Sequence, residues 1–408
     1  MSEYLTMDDA DFSGKTVLVR VDFNSPVDPE TKRIIDDTRI RAHSETIREL
    51  SEKGAKVVIL AHQGRPGDPD FIPLKQHAKI LGKILGKPVK YVQDVFGEEA
   101  KREIRELKFG EILVLENVRN FARETDEKSA EEHAQSELVK NLAPLADVFV
   151  SDGFSVAHRS QASVVGFTPL LTSVAGRMME KELKALSEAM EAPEKPCIFI
   201  LGGAKAEKCI DIVRYVLDNN IADHVLTGGL VGHVVLEAEG VDIGKPSMKF
   251  LEKKGLADLI PKMKEIVEKY PGRIDVPSDV AVEIEGKRKE IEVSKLPVVH
   301  PIYDIGSKTV EEYGKIIGRA KSIVLSGPMG VYERDEFREG TKGVFTSIAE
   351  SRAFKLAGGG DTIAALEKLG LHDRMSYVST AGGAFIEYLM GKKLPAVEAL
   401  KEAAKRTA

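Results

Sequence analysis

The stretches TVLVRVDFN at residues 16–24, DDTRIRAHSETIREL at 36–50 and KVVILAHQGRP at 56–66 decide the fold. Val17–Val21 is a compact apolar run that ends at Asp22, Thr38–Leu50 has helical periodicity, and Lys56–Ala61 reads as the next strand. A nearly continuous apolar run, unlike an alternating one, belongs to a strand buried on both faces, and such strands joined by helices run parallel. The pattern continues through Ile112–Leu115, Asp147–Val150, Cys197–Leu201, His224–Leu226, Ser322–Leu325, Ala353–Ala357 and Met375–Val378. It predicts an α/β, doubly wound architecture.

At 408 residues the chain has material for two or three domains. The strand pattern restarts after residues 176–195, where Gly176–Glu191 reads as a charged helix and Ala192–Pro196 as a linker. The expected division is therefore 1–175, an interdomain segment 176–195, and 196–393. Residues 394–408 form a terminal helix with no strand after it, which either caps the second domain or returns to the first.

Composition narrows the function classes. A net charge of -6 argues against a dedicated nucleic-acid binder, although a local basic pocket remains compatible with it. The two cysteines, Cys197 and Cys209, make neither a disulfide framework nor a zinc spacing and read as reduced core residues. The acidic, polar N-terminus is unlike a signal peptide, and no apolar stretch has the length of a membrane span. A cytoplasmic protein with neither nucleic acid nor membrane as partner is expected.

Ligands of open α/β sheets bind at the carboxyl ends of the strands. In the first half these positions carry Asp22-Phe23-Asn24, His62-Gln63-Gly64-Arg65, Glu116-Asn117-Val118-Arg119 and Ser151–Phe154 with Ala157-His158-Arg159, and the first helix brings Arg39. A lone arginine in a loop is usually a solvated surface residue. Arg39, Arg65, Arg119 and Arg159 with His62 and His158 on one rim instead suggest a small polyanion, since guanidinium forks grip phosphate and carboxylate oxygens. The two histidines are the groups expected to titrate near neutrality.

The second half carries glycines at the same positions: Gly202-Gly203-Ala204-Lys205, Gly228-Gly229, Ser326-Gly327-Pro328, Gly358-Gly359-Gly360-Asp361-Thr362 and Ala381-Gly382-Gly383. One such turn is weak support, because tight strand-to-helix turns use glycine anyway. Five on one rim point to a nucleotide phosphate chain held by helix N-terminal amides. Asp361 can hold Mg²⁺ beside phosphate oxygens, and can equally be a helix N-cap. No G-x-G-x-x-G fingerprint occurs, which weakens a nicotinamide-dependent dehydrogenase. A non-catalytic anion-binding protein would leave the glycine loops and Asp361 without a purpose.

Taken together, RVDFNSP (20–26), DDTRI (36–40), HQGRP (62–66), LENVR (115–119), AHR (157–159), LGGAK (201–205), SGPMGVYE (326–333), GGGDT (358–362) and STAGGA (379–384) resemble the motif set of the phosphoglycerate kinases, in family order from about residue 17 to 400. The length is similar to that of archaeal members. The resemblance implies two Rossmann-like domains with parallel sheets facing each other across a hinged cleft, residues 394–408 returning to the first domain, and Mg²⁺ with ATP or ADP as cofactor. It implies small-molecule substrates, 3-phosphoglycerate and Mg-nucleotide, and a monomer, with a homodimer as the alternative.

By motif position, 3-phosphoglycerate falls to Asp22, Phe23, Asn24, Arg39, His62, Gln63, Gly64, Arg65, Arg119 and Arg159. The nucleotide falls to Gly203, Lys205, Lys208, Gly228, Gly229, Ser326, Pro328, Glu333, Gly359, Gly360, Asp361 and Thr362, with Asp361 also the metal ligand. Arg39, Lys205, Gly382 and Gly383 resemble the catalytic set. The chain departs from the family at Ser326, where asparagine is usual, at Ala381, where glycine is usual, and at Ser151, Gly153 and Ser155. The second family lysine stands four residues after the first; here Lys208 follows Lys205 by three, on the same helix face.

Overall fold

The computed structural model describes residues 3–407. The chain divides into two compact units, one running to Leu183 and joined by the residues from Lys393 onward, the other spanning Lys184–Lys392. The boundary falls inside the helix Arg177–Met190.

In the first unit six parallel strands, β1 (Thr16–Arg20), β2 (Lys56–Leu60), β3 (Lys90–Tyr91), β4 (Ile112–Val114), β5 (Val148–Ser151) and β6 (Thr172–Ala175), are ordered β3-β4-β2-β1-β5-β6. Val17 and Val19 pack into one core with Ile40, Ile47 and Leu81, while Leu18 packs into another with Leu138 and Phe167. Burial on both faces is why the strands read as unbroken apolar runs. The final helix, Pro395–Thr407, lies in this unit, where Ala396 N–H donates to Ala157 O at 3.1 Å.

The predicted helix over Thr38–Leu50 is two helices, Thr38–Ala42 and Ser44–Glu52, broken at His43. The break has a cause. His43 Nε2 accepts from Asp22 N–H at 3.1 Å, and its Nδ1 lies 2.6 Å from Asp152 Oδ2. Asp152 is fully buried and also accepts from Thr46 Oγ1 and Met178 N–H, both at 2.9 Å.

The second unit contains β7 (Cys197–Leu201), β8 (His224–Thr227), β9 (Ile274–Asp275), β10 (Asp279–Ile284), β11 (Lys287–Glu292), β12 (Ile302–Ile305), β13 (Ser322–Ser326), β14 (Phe354–Gly358) and β15 (Tyr377–Ser379). Its parallel sheet is ordered β15-β14-β13-β7-β8-β9, so β13 and β7 are central. A separate three-stranded antiparallel sheet, β11-β10-β12, has no counterpart in the sequence reading. Its hairpin turns at Glu285-Gly286, with φ of 51° and 71°, the left-handed pair that tight hairpins use. Both cysteines are buried and unpaired, and burial pushes each thiol up to about 12.

Candidate active site

The carboxyl ends of β1, β2, β4 and β5 lie on one edge of the first sheet and collect the residues picked out as a cation rim. Asp22 is its organising anion. It is 3% exposed, pairs with Arg39 and with the Ser155 hydroxyl, and accepts from Asn24 N–H at 3.0 Å. Burial alone would raise its carboxyl; the Arg39 charge and these hydrogen bonds overturn that and hold it below the usual carboxylate range. Arg39, one residue into its helix, is thereby aimed from behind while staying half-exposed.

The half-buried Asn24 and the buried Arg119 form the next layer. Asn24 Oδ1 accepts from Gly64 N–H at 2.7 Å, tying the β1 and β2 loops together. Arg119 donates to Gly64 O and is pushed down to about 10, by burial first and then by Arg159, Arg20 and Arg65. Arginines gathered this closely, with Glu124 as a counter-charge behind them, are an arrangement that suits an anionic ligand. Arg65 is exposed and Arg159 half-buried.

Three expectations change here. Phe23 is fully buried in the core, stacked on His77 with ring centroids 6.1 Å apart, so its side chain faces no ligand. Gln63 is fully buried and occupied: Oε1 accepts from Ser25 N–H at 2.8 Å, and Nε2 donates to Ser25 O at 3.0 Å and Asp70 O at 3.1 Å. Both brace the loop, leaving only backbone to touch a substrate. His62 does not titrate near neutrality; burial first, with Arg20, Arg119 and Arg159 beside it, holds its pKa well below 6.5 against the pull of Asp22.

Sequence reasoning missed Arg20. It is 2% exposed, donates from Nε to Ser163 Oγ at 2.7 Å, and stands 3.3 Å from His62 Nδ1. Ser163 in turn contacts the buried Glu124, whose N–H···O bond from Ser163 is 3.0 Å. An arginine inside the apolar run TVLVRV was the available signal, because a cation there needs a buried partner.

In the second unit the five glycine loops separate into two kinds. Gly202, Gly203, Gly228, Gly229 and Gly327 are packing glycines. Their amides donate to Ser326 O (2.9 Å), Pro328 O (2.7 Å), Leu201 O (3.1 Å), Met329 O (2.7 Å) and Thr362 Oγ1 (2.8 Å), so none is left for a phosphate. A Cβ on Gly327, at φ 97°, would meet Gly202 O at 2.2 Å. Gly360 and Gly382 are the opposite case: a Cβ on either meets nothing within 4 Å. Each opens a helix, Gly360–Lys368 and Gly382–Leu389, whose first amides lack intrahelical partners.

Gly360, Asp361, Thr362 and Gly382 line a cavity of about 60 Å³ with Lys205, Lys208 and Ser326. Both lysines are exposed at the start of the helix Ala206–Asp218, so the shift of one residue keeps Lys208 on the cavity. Asp361 is not an N-cap: Gly359 holds that position, and Asp361 is the second helical residue, exposed and without a cap hydrogen bond. Among the described residues no group of three or more His, Cys, Asp or Glu could hold a metal alone. A single carboxylate beside a phosphate cradle is nevertheless a suitable donor set for Mg²⁺, which takes its other ligands from phosphate and water.

Adjoining this cradle, and sharing Gly203, Ala204 and Asp361 with it, is a cavity of about 360 Å³ walled by Leu230, Phe250, Val280, Ile302, Pro328 and Val331, with Glu333 also lining it. Most of this wall comes from residues 230–305, which the sequence reading left blank, and two of its members stand on β10 and β12. Asp304, on β12 and 2% exposed, fixes the wall by accepting from Arg288 at 2.7 Å and Gly340 N–H at 2.8 Å; burial pushes it up to about 6.

An anion rim in one unit and a phosphate cradle beside an apolar cavity in the other are what an enzyme needs to pass a phosphoryl group between a nucleotide and a small acid. The sequence model of the family described as phosphoglycerate kinase matches residues 7–392. The chain is 48% identical over 400 residues to the phosphoglycerate kinase of Methanothermobacter thermautotrophicus, covering 98% of this chain and 97% of that protein. It is 46% identical over 407 residues to that of Methanothermus fervidus, covering 100% and 99%. The crystal structure of phosphoglycerate kinase from Pyrococcus horikoshii OT3 superposes with a TM-score of 0.88 at 42% identity, covering 99% of this chain and 100% of that one. The chain belongs to the phosphoglycerate kinase family, phosphotransferases with a carboxyl group as acceptor; the dehydrogenase and passive anion-binder readings are set aside. No helix among the described residues is long and apolar enough to cross a membrane.

Proposed function

We propose that the first unit holds 3-phosphoglycerate on the Arg65, Arg119 and Arg159 rim, and that the second holds the nucleotide, phosphates in the cradle and nucleoside in the apolar cavity. The observation that supports this reading is the contrast between the units: the buried Arg119 sits among Arg159, Arg20 and Arg65, while the second unit offers open helix N-termini and a largely apolar wall. Glu333 is assigned to the ribose. Asp361 would hold Mg²⁺, which when bound neutralises phosphate charge.

The acceptor carboxylate and the ADP β-phosphate oxygen are both ionised near neutral pH, so no general base is required. What the chain must supply is alignment and cations for the charge that develops on the transferring group. Arg39, held by Asp22, is assigned that role from the acid's side. Lys205 and the amides at Gly382 and Gly383 are assigned it from the nucleotide's side. The two bound substrates must come into line, and water must be kept from the transferring group, which makes closure of the units a requirement of this reading. A monomer in the cytoplasm is the setting we propose.

A coupled assay with ATP, Mg²⁺ and 3-phosphoglycerate tests it. The reading expects turnover that requires all three; turnover unaffected by omitting Mg²⁺ would remove Asp361 from its assigned role.

A further inference from the structure

The apolar cavity of the second unit contains one side chain that its packing does not explain. His233, on the helix Gly229–Ala238, lines the cavity and is 8% exposed. Its Nδ1 is enclosed and has no hydrogen-bond partner. Burial pushes the imidazole down to about 4, so near neutrality it is uncharged, with one N–H donor and one acceptor nitrogen. A buried histidine kept for structure normally has its nitrogens paired, because an unmatched polar atom destabilises the fold. Leu230, Val280, Ile302 and Val331 of the wall are apolar, Tyr303, Tyr332, Glu333 and Asp361 line the same cavity without pairing Nδ1, and the buried Asp304 carboxylate is taken up by Arg288 and by the Gly340 and Ile305 amides.

We infer that His233 is a determinant of base selectivity, its imidazole making a hydrogen bond to the 6-substituted edge of a purine in this cavity. The inference rests on the cavity being the nucleoside site. An apolar slot alone grips any flat base by contact area and separates bases poorly. A hydrogen-bonding group in a desolvated slot penalises a base that leaves it unmatched. A neutral imidazole can serve either a 6-amino or a 6-oxo group, according to which nitrogen carries the proton. The selectivity expected is therefore for a 6-substituted purine over one bearing hydrogen at that position.

The test is calorimetric titration of the full chain with Mg-ADP and with the diphosphate of purine riboside, which lacks the 6-amino group. Wild type should prefer ADP roughly tenfold, the scale of one neutral hydrogen bond. His233→Leu should bind the two alike, and His233→Gln, which keeps a donor and an acceptor, should recover part of the preference. His233→Leu should also leave the melting temperature of the free protein unchanged or higher, since it removes an unmatched buried nitrogen. The same preference in wild type and His233→Leu, or a lowered melting temperature with the preference intact, overturns the inference. Ile302→Trp separates its failure from that of the underlying reading. Filling the cavity should abolish ADP binding while tripolyphosphate still binds the cradle; retained ADP binding would show that the base lies elsewhere.

Discussion

On the proposed reading, the two units bind anions by opposite means. In the first, side chains would do it: Asp22, His62 and Arg119 are buried, the half-buried Asn24 is tied to Gly64, and Arg119 sits among Arg159, Arg20 and Arg65. In the second, backbone would do it: Gly360 and Gly382 open helices with free space beside them, and among the described residues lining that cavity the exposed cations are Lys205 and Lys208. A small acid with little surface must be recognised by its charges. A nucleotide has a long phosphate chain for amides to follow and a base for apolar walls to cover.

The largest effect should come where the first unit's charge meets the transition state. Arg39→Ala is expected to lower kcat by about a hundred- to a thousandfold with KM values changed much less. A change confined to KM would make Arg39 a ground-state binding group only. Arg119 and Arg65 come next, and the structure separates them. Arg119→Ala should raise KM for 3-phosphoglycerate by roughly a hundredfold, and the exposed Arg65→Ala by roughly tenfold, the range of charge-assisted hydrogen bonds. Equal effects would mean that burial does not rank the rim.

The second unit's two kinds of glycine give a smaller, stability-level contrast. Gly327→Ala places a Cβ against Gly202 O at a left-handed φ and should destabilise by about 1–3 kcal/mol in thermal unfolding. Gly382→Ala, with nothing within 4 Å, should unfold within about 0.5 kcal/mol of wild type. Parity between them would erase the distinction between packing and cradle glycines.

The smallest expected effect is on kcat against pH, which should be nearly flat from about pH 6.5 to 8.5, because no base is used and the cationic groups stay charged there. A slope near one that a single cleft substitution removes would reveal a base. Stability behaves otherwise. His77 and His233 fall from 6.5 to about 4 on folding, and His62 falls as well. Between those values the unfolded chain binds more protons, so stability should drop as pH falls from 6.5 toward 4 in denaturant titrations.

Of the twelve parallel strands among the described residues, nine were legible because strands covered on both faces read as unbroken apolar runs, Cys197–Leu201 matching β7 residue for residue, whereas β3, β6 and β9, at sheet edges, were not read. The antiparallel sheet was not. β11 reads KRKEIE with most residues exposed, and its only cue was the Glu285-Gly286 turn. The clustering of charged residues at the carboxyl edge of the first sheet was legible by position after strands. Whether a side chain points to ligand or core was not, as Phe23 and Gln63 illustrate, because both directions follow the same strand. Glycine carries the same ambiguity: Gly229 and Gly382 both open helices, yet one is pinned beneath Met329 and the other is open. The wall of the apolar cavity stayed invisible because Leu230, Val280 and Ile302 are ordinary core letters joined only by tertiary folding.

The division of labour between the units is tested most directly by a crossed calorimetric titration. Arg119→Ala and Asp361→Ala, both confirmed as folded, are each titrated with 3-phosphoglycerate and with Mg-ADP. The account predicts that Arg119→Ala loses 3-phosphoglycerate and keeps Mg-ADP at wild-type affinity, and that Asp361→Ala does the reverse. Either variant weakening both ligands equally would contradict it.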